Sequence, residues 1–153
     1  MTATVRTMKA KVLNDAPERT IALIFDSGDD VMATLQAFAT EHNLMASRFT
    51  AIGAFQRATL GYFDWRRKEY ERIPVNEQVE VVSIVGDIAL DDDNEPKVHA
   101  HAVLGRRDGS TLGGHLLEAT VRPTLEVLLT ESPDHLRRVC DPRSGIALIR
   151  VDA

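Results

Sequence analysis

The sequence predicts an α+β domain in which one twisted, mainly antiparallel sheet packs against one principal helix. Three observations predict it: many short segments rich in Val, Ile and Thr, turn residues between them, and a single stretch with apolar residues at helical spacing. We expect all 153 residues, 1–153, to form a single domain. No apolar run approaches the roughly 18 residues that a membrane span needs. The N-terminus has no apolar core for a signal peptide, so we expect a cytoplasmic location.

Two strands open the predicted fold. MKAKVLND and RTIALIF have the composition of strands. The segment between them, from Asn14 to Glu18, contains the turn residues Asn14, Asp15 and Pro17. We therefore expect these two strands to be joined by a turn at that segment.

The next segment predicts the principal helix. Its apolar residues recur at helical spacing, at Val31, Leu35 and Phe38. Ser27 followed by Asp30 resembles a capping box, and the carboxylate suits the positive end of the helix dipole. Asn43 is a suitable residue for the C-terminal stop.

Strands are predicted from the end of the helix to the acidic loop DDDNEP. ASRFTAIGAFQRATLGYFD is a long strand in which Gly53 marks a bulge or a close backbone approach. WRRKEYERI is expected to turn and return as a hairpin. QVEVVSIVGDIAL is apolar at nearly every position, which is typical of a central strand covered on both faces.

The C-terminal third predicts three further strands and a closing one, in the order KVHAHAVLG, GHLLEATV, TLEVLLTE and GIALIRV. A short helical turn is expected from Ser132 to Arg138, because Pro133 suits the first position of a helix. The one cysteine, Cys140, excludes an internal disulfide and a thiolate-rich metal site. We expect it to be a small, buried or half-buried residue.

Three of the five histidines fall in one stretch and suggest a metal site. On a strand, His99 and His101 share one face, while Ala100, Ala102 and their alternate neighbours share the other, apolar one. Imidazoles at i and i+2 can reach one ion at about 2.0–2.1 Å per nitrogen. His115 suits as a third ligand, because the connection RRDGSTLGG is short enough to fold the next strand back alongside. Gly113 and Gly114 would allow the two backbones to approach closely.

The remaining histidines have no such company. His42 lies near the end of the predicted helix, where its charge favours the negative end of the dipole. His135 is expected to be a surface residue. A His-x-His pair alone is also explained by a solvated polar face, so the metal hypothesis depends on the third histidine.

The net charge of −5 disfavours nucleic-acid binding by the bare chain. Proteins dedicated to nucleic acids are usually basic, because phosphate neutralisation supplies much of their affinity. Two local basic clusters remain, Arg66, Arg67 and Lys68 beside Trp65 and Tyr70, and Arg106 with Arg107. Basic residues interleaved with aromatics can bind phosphate and stack on bases, but charged hairpin tips also serve to shield strand edges.

Five segments in order resemble the PPC (plant and prokaryote conserved) domain family, in its stand-alone prokaryotic form. The resemblance covers about Arg19 to Glu131, and its landmarks are RTIALIFDSGDDVMATLQAFATEHNL, ASRFTAIGAFQRATLGYFD, VEVVSIVGDIAL, PKVHAHAVLGRRDG and GGHLLEATVRPTLEVLL. It implies a compact domain that assembles as a homotrimer. It also implies a bound metal ion, often zinc, which His99, His101 and His115 would hold. Glu118 and Glu126 are candidates for partners of the ligands, although each also suits a surface or packing role.

The sequence departs from the plant members of this family. Plant members carry an AT-hook with a Gly-Arg-Pro core, and this chain has no Gly-Arg-Pro. They also carry a Gly-Arg-Phe-Glu-Ile-Leu segment linked to partner binding. The matching positions here run from Glu77 to Val82 without an arginine. The DNA-binding label of the family therefore transfers poorly.

Three functions stay open at the level of sequence. The first is a metal-binding homotrimer that acts on a small molecule or catalyses a reaction, with zinc or another divalent transition metal at the three histidines. The second is a DNA-binding or transcription-associated module. The third is a protein-interaction platform in which the metal is structural.

Overall fold

The computed structural model describes residues 8–14 and 18–151. These residues form nine strands and one helix, in the order β1 Lys9–Asn14, β2 Thr20–Asp26, α1 Val31–Glu41, β3 Ala46–Asp64, β4 Glu69–Val75, β5 Val79–Leu90, β6 Pro96–Gly105, β7 Thr111–Glu131, β8 Arg137–Cys140 and β9 Ala147–Arg150. The predicted fold class, a mainly antiparallel sheet with one helix, is confirmed. The turn predicted between the first two strands lies partly outside the described residues.

The described strands belong to one sheet, with the path β1-β2-β7-β3-β5-β8-β9 and with β4 paired to β3. The pairings are antiparallel except for the contact of β5 with β8. β6 pairs with both β5 and β7, and both of these pair with β3. Strands β3, β5, β6 and β7 therefore close into a ring around the core.

The core fills this ring and the space between the sheet and α1. Its largest fully buried side chains include Phe25, Phe55, Leu60, Ile84, Leu104 and Leu116. Each such side chain contributes roughly 1.5–3 kcal/mol through its burial. The helix packs on β6 and β7 with its buried residues Val31, Leu35, Phe38 and Ala39, the predicted stripe among them.

The start of α1 differs from the predicted capping box. Asp30 is itself the N-cap, and its side chain accepts a hydrogen bond of 2.9 Å from the Ala33 backbone N–H. The Ser27 hydroxyl instead donates to the Pro123 carbonyl at 3.1 Å. Asn43 follows the helix at φ 50°, a left-handed conformation that stops a helix as predicted.

The predicted bulge at Gly53 is present in β3. The register of β3 against β5 shifts between Ala51 and Gly53. Gly53 has φ +151°, and a Cβ there would lie 2.3 Å from the Thr124 carbonyl oxygen. Only glycine allows the two backbones to approach this closely.

Two predictions for the C-terminal third are wrong. GHLLEATV and TLEVLLTE are one continuous strand, β7, which runs through Pro123. The ladder with β3 passes from Val121 directly to Leu125, so Pro123 sits where its missing N–H is not needed.

The helical turn predicted from Ser132 to Arg138 does not form. The Leu90 backbone N–H donates to the Leu136 carbonyl at 2.8 Å, and β8 begins at Arg137 beside the end of β5. Pairing with an existing sheet outweighs the weak local preference for a helical turn.

Two burial predictions are also corrected. β5 is not covered on both faces within the chain, because Val82 and Val85 are exposed. Cys140, expected to be buried or half-buried, is exposed near the end of β8. Within the described residues, no helix has the length and apolar character that crossing a membrane requires.

Candidate metal centre

Strand alternation on β6 separates its histidines from the core. Ala100, Ala102 and Leu104 are buried on the inner face. His101 is exposed on the outer face, and His99 is partly buried there. The two imidazoles therefore lie side by side on the outside of the strand ring, as the alternation of residues predicts.

His115 reaches the same place from the neighbouring strand. The hairpin between β6 and β7 closes with a hydrogen bond of 2.8 Å from the Arg106 backbone N–H to the Ser110 carbonyl, and it sets His101 directly opposite His115. A Cβ at Gly114 would lie 2.8 Å from the Gly61 carbonyl oxygen, so glycine is required where β7 crosses β3. At Gly113 a Cβ would make only ordinary contacts.

The three imidazoles form one cluster. The ring centroids of His99 and His101 are 5.1 Å apart, those of His99 and His115 are 4.9 Å apart, and those of His101 and His115 are 5.3 Å apart. One nitrogen from each ring can be chosen so that all three lie within 4.8 Å of one another. This is a donor set that zinc, copper, iron and nickel favour.

The surroundings favour the neutral form of two of the three imidazoles, those of His101 and His115. Burial, reinforced by His99, His101 and Arg138, lowers the pKa of His115 from 6.5 to about 4. Burial also lowers the pKa of His101, and the neighbouring His99 adds to that effect. Neutral imidazole is the form that binds a metal ion.

His115 also carries an orphaned nitrogen. Its Nδ1 atom is buried and has no hydrogen-bond partner among the described residues. A buried polar atom without a partner costs free energy. The atom fits a ligand role, because coordination would supply the partner that the protein does not.

A carboxylate and a guanidinium adjoin His99, and sequence reasoning missed both. Nη2 of Arg138 lies 2.7 and 3.0 Å from the two carboxylate oxygens of Asp87. The same Nη2 lies 2.9 Å from Nδ1 of His99, and Asp87 Oδ2 lies 3.5 Å from that nitrogen. Burial raises the pKa of Asp87, but the neighbouring His99 and Arg138 side chains outweigh that effect and hold the pKa below its usual value.

The signal that could have found Asp87 is its place on β5. An acidic residue within the largely apolar segment VVSIVGDIAL is unusual and could have marked it. In the structure Asp87 is paired directly with His99 in the β5–β6 ladder. Arg138 had no such signal, because its segment was predicted to be helical.

The helix fixes the beginning of β6. The Gln36 side chain donates from Nε2 to the Pro96 carbonyl at 2.6 Å and accepts from the Val98 backbone N–H at 3.1 Å. This amide clamp holds the residue that immediately precedes His99. A polar residue on the helix thus helps to position the histidine cluster from a separate element.

An open cleft leads to the cluster. Aromatic and apolar residues from two regions form its walls, namely Tyr62, Phe63 and Tyr70 from the β3–β4 hairpin and Ile146, Ala147 and Leu148 from the C-terminal hairpin. The Tyr70 ring packs on His115 with a centroid separation of 4.7 Å. Tyr70, which the sequence analysis grouped with a basic cluster, therefore faces the histidines.

The proposed carboxylate partners lie elsewhere. Glu118 pairs with Arg72 at 2.6 Å, and Glu126 is exposed beside Ile52. The carboxylate beside a histidine of the cluster is that of Asp87. His42 caps the C-terminus of α1, and His135 is exposed beside Asp134, both as expected.

The two basic clusters are largely engaged by the protein itself. Arg67 contacts Asp64, Glu69 and Glu71. Lys68 lies over the Trp65 ring, with its Nζ atom 3.2 Å from the centroid.

In the second cluster, Arg106 pairs with Glu77 at 3.0 Å. The carboxylates beside both clusters reduce the positive charge that a phosphate backbone would meet.

The model of the Plants and Prokaryotes Conserved (PCC) domain, the family called PPC above, matches residues 13–133, which is most of the chain. The chain belongs to the PPC-domain family. The PPC match ends before β8, so Arg138 lies beyond the residues it covers. No curated protein matches the sequence significantly.

Solved structures of PPC-like chains are similar to this one over nearly their whole length. A PPC protein from Pyrococcus horikoshii has 28% identity and a TM-score of 0.80, with 94% of each chain covered. A metal-containing protein from Archaeoglobus fulgidus has 30% identity and a TM-score of 0.79, covering 95% of this chain and 99% of that one. A proposed DNA-binding protein from Ralstonia eutropha has 28% identity and a TM-score of 0.79, covering 86% and 90%.

Proposed function

We propose that the chain is a metal-binding homotrimer of the PPC-domain family. His99, His101 and His115 are the proposed ligands, and the proposed ion is zinc or another divalent transition metal. The observation that carries the proposal is the convergence of three imidazoles from two strands on one place, where one nitrogen of each lies within 4.8 Å of the others. The archaeal relative that contains a metal supports it. The cytoplasmic location stays a prediction from the sequence.

The geometry of the cluster suits a tetrahedral ion. Ligand nitrogens about 2.0–2.1 Å from such an ion lie roughly 3.4 Å from one another. The three rings already bring their nitrogens within 4.8 Å, so small rotations of the side chains are sufficient. When bound through three imidazoles with one position open, zinc supplies Lewis-acid chemistry. The cleft lined by Tyr62, Phe63 and Leu148 gives a small molecule access to that position.

An exposed apolar face supports the proposed homotrimer. Five large apolar side chains of the strand ring are between 40% and 61% exposed, namely Ile52, Val82, Val85, Val103 and Leu128. Thr50 lies opposite both Leu128 and Val85, so the face extends across β7, β3 and β5. Soluble monomers rarely expose large contiguous apolar patches, and copies of the same chain are the proposed cover.

Metal content tests the proposal directly. We expect about one zinc per chain in untagged protein by plasma mass spectrometry, and a loss of that zinc in His99→Ala and in His115→Ala. His135→Ala is the matched control, because it removes an exposed histidine outside the cluster. Metal-free wild-type protein, or metal unaffected by the two cluster substitutions, would overturn the proposal.

DNA binding is the second candidate, and the Ralstonia relative is the observation that favours it. Against it stand the net charge and the carboxylates that engage Arg67 and Arg106. DNA binding predicts affinity for duplex DNA that falls steeply with salt, because counterions are released from the phosphates. Absence of such binding at low salt would exclude it.

A protein-interaction platform with a structural metal is the third candidate. It predicts that removal of the metal lowers the stability of the fold, while no hydrolytic turnover and no DNA affinity are detected. The metal-binding homotrimer remains the proposed function, since the histidine cluster opens to a cleft instead of being sealed in the core.

A further inference from the structure

We propose that Asp87 and Arg138 are opposed positioning residues that set the tautomer of His99, Asp87 favouring metal binding and Arg138 restraining it. The inference rests on the proposed metal site. It concerns residues outside the ligand set, one of them on the C-terminal hairpin beyond the PPC match.

The arrangement is built by three separate elements. Asp87 on β5 is paired with His99 on β6, and Arg138 reaches both from β8. The Arg138 side chain is 10% exposed and also donates from Nη1 to the Ala147 carbonyl at 3.3 Å. It is therefore held against His99 by both strands of the C-terminal hairpin.

The chemistry of arginine determines the direction of its contact with His99. A guanidinium is always charged and can only donate hydrogen bonds. With Nη2 of Arg138 2.9 Å from Nδ1 of His99, the nitrogen must accept, so Nδ1 carries no proton. In a neutral imidazole the proton then resides on Nε2.

Ligation requires the other tautomer. With Nδ1 facing Asp87 and Arg138, Nε2 is the nitrogen left for an ion, and it must be free of its proton to bind one. The proton then belongs on Nδ1, where the Asp87 carboxylate 3.5 Å away can accept its hydrogen bond. Histidine ligands characteristically donate their second N–H to such a carboxylate.

The two residues therefore have effects of opposite sign. Asp87→Ala removes the acceptor of the Nδ1 proton, and we expect zinc affinity to fall about 10- to 100-fold. Arg138→Met removes the competing donor and frees the carboxylate, and we expect zinc affinity to rise about tenfold. If Arg138 merely held the hairpin in place, its loss would lower the affinity instead.

Zinc affinity is measured by competition with a chromophoric chelator on the full-length variants. Asp134→Ala is the matched control for Asp87, because Asp134 adjoins the exposed His135 at 3.3 Å. Arg137→Met is the control for Arg138, because Arg137 lies on the same strand and bonds to Asn94. Both controls are expected to leave zinc affinity unchanged.

A second measurement reads the tautomer without metal. Nitrogen-15 NMR of metal-free protein at pH 8 is expected to show His99 protonated at Nε2 in the wild type and at Nδ1 in Arg138→Met. An unchanged tautomer, or a folded Arg138→Met variant with reduced zinc affinity, would overturn the inference. If the wild type and the variant show the expected tautomers but the wild type binds no zinc, the proposed function is wrong while the tautomer assignment stands.

Discussion

At the scale of single residues, the protein shows how burial prepares a histidine for one protonation state. His115 is partly buried and next to two other imidazoles and Arg138, so the free energy of placing a charge there is unfavourable. The same desolvation leaves its Nδ1 atom without a partner. On folding, this nitrogen loses its hydrogen bonds to water, and coordination to a bound ion would replace them.

The pH dependence of stability should report this burial. The pKa of His115 is about 4 in the folded chain and 6.5 in the unfolded one. Between these values the unfolded chain binds a proton that the folded chain excludes, so the free energy of unfolding of metal-free protein falls as pH decreases from 6.5 to 4. Chemical denaturation at several pH values with chelator present measures this.

The control is His115→Gln, in which the fall between pH 6.5 and 4 should be smaller. The lowered pKa values of Asp64 and Asp87 affect stability mainly near and below their unfolded value of 3.8. Both carboxylates are present in the two proteins, so the difference between the two curves reports His115. An identical pH dependence in both proteins would contradict the expected burial of His115.

A glycine prediction also belongs at the residue scale. Gly53→Ala should destabilise the fold by roughly 1–3 kcal/mol or more, because its Cβ would lie 2.3 Å from the Thr124 carbonyl oxygen at φ +151°. Gly109→Ala is the matched control, since Gly109 has φ +83° with nothing within 4 Å of the added Cβ. Urea denaturation compares the two, and equal losses of stability would argue against the close approach of β3 and β7.

At the scale of elements, the strands carry the site while the helix and the hairpins hold them in register. Gln36 of α1 clamps β6 just before His99, and Tyr70 of the β3–β4 hairpin packs on His115. The C-terminal hairpin adds Arg138, whose Nη2 atom lies 2.9 Å from Nδ1 of His99. Three elements, α1 and two hairpins, thus support the two strands β6 and β7 that contain the histidines.

The corrected N-cap of α1 leads to a direct test. Asp30→Ala should lower stability by about 1 kcal/mol, because it removes the acceptor of the Ala33 backbone N–H. Ser27→Ala should cost less than about 0.5 kcal/mol, since its hydroxyl bonds outside the helix to the Pro123 carbonyl. Thermal unfolding of both variants decides the matter, and a larger loss for Ser27→Ala would restore the capping box.

At the scale of the whole molecule, the exposed apolar face is the feature that no other part of the described chain covers. Among the five large apolar residues of this face, Val85 is the most exposed, at 61%. It lies opposite His101 in the β5–β6 ladder. A copy of the chain that covers this face would therefore border the histidine cluster. The proposed subunit interface and the proposed metal site are then adjacent.

Disruption of this face should separate the subunits of the proposed homotrimer. Val85→Asp would place a charge in the proposed interface, where burial of an unpaired carboxylate costs several kcal/mol, so we expect the trimer to dissociate to monomers. Light scattering coupled to gel filtration measures the mass. Val151→Asp, at a residue that is 91% exposed, should leave the trimer intact. A trimeric Val85→Asp variant would place the interface elsewhere.

The sequence by itself determined the fold class, the long strand β3 with its bulge at Gly53, and the histidine face of β6. These follow from local rules, because alternation and backbone freedom depend on near neighbours. The single strand β7, the strand β8 and the roles of Asp87 and Arg138 were decided only by the tertiary structure. Pairing between residues far apart in the chain, such as Leu90 with Arg137, leaves no local pattern. Arg138 reaches His99 across 39 positions, and only the folded sheet brings them together.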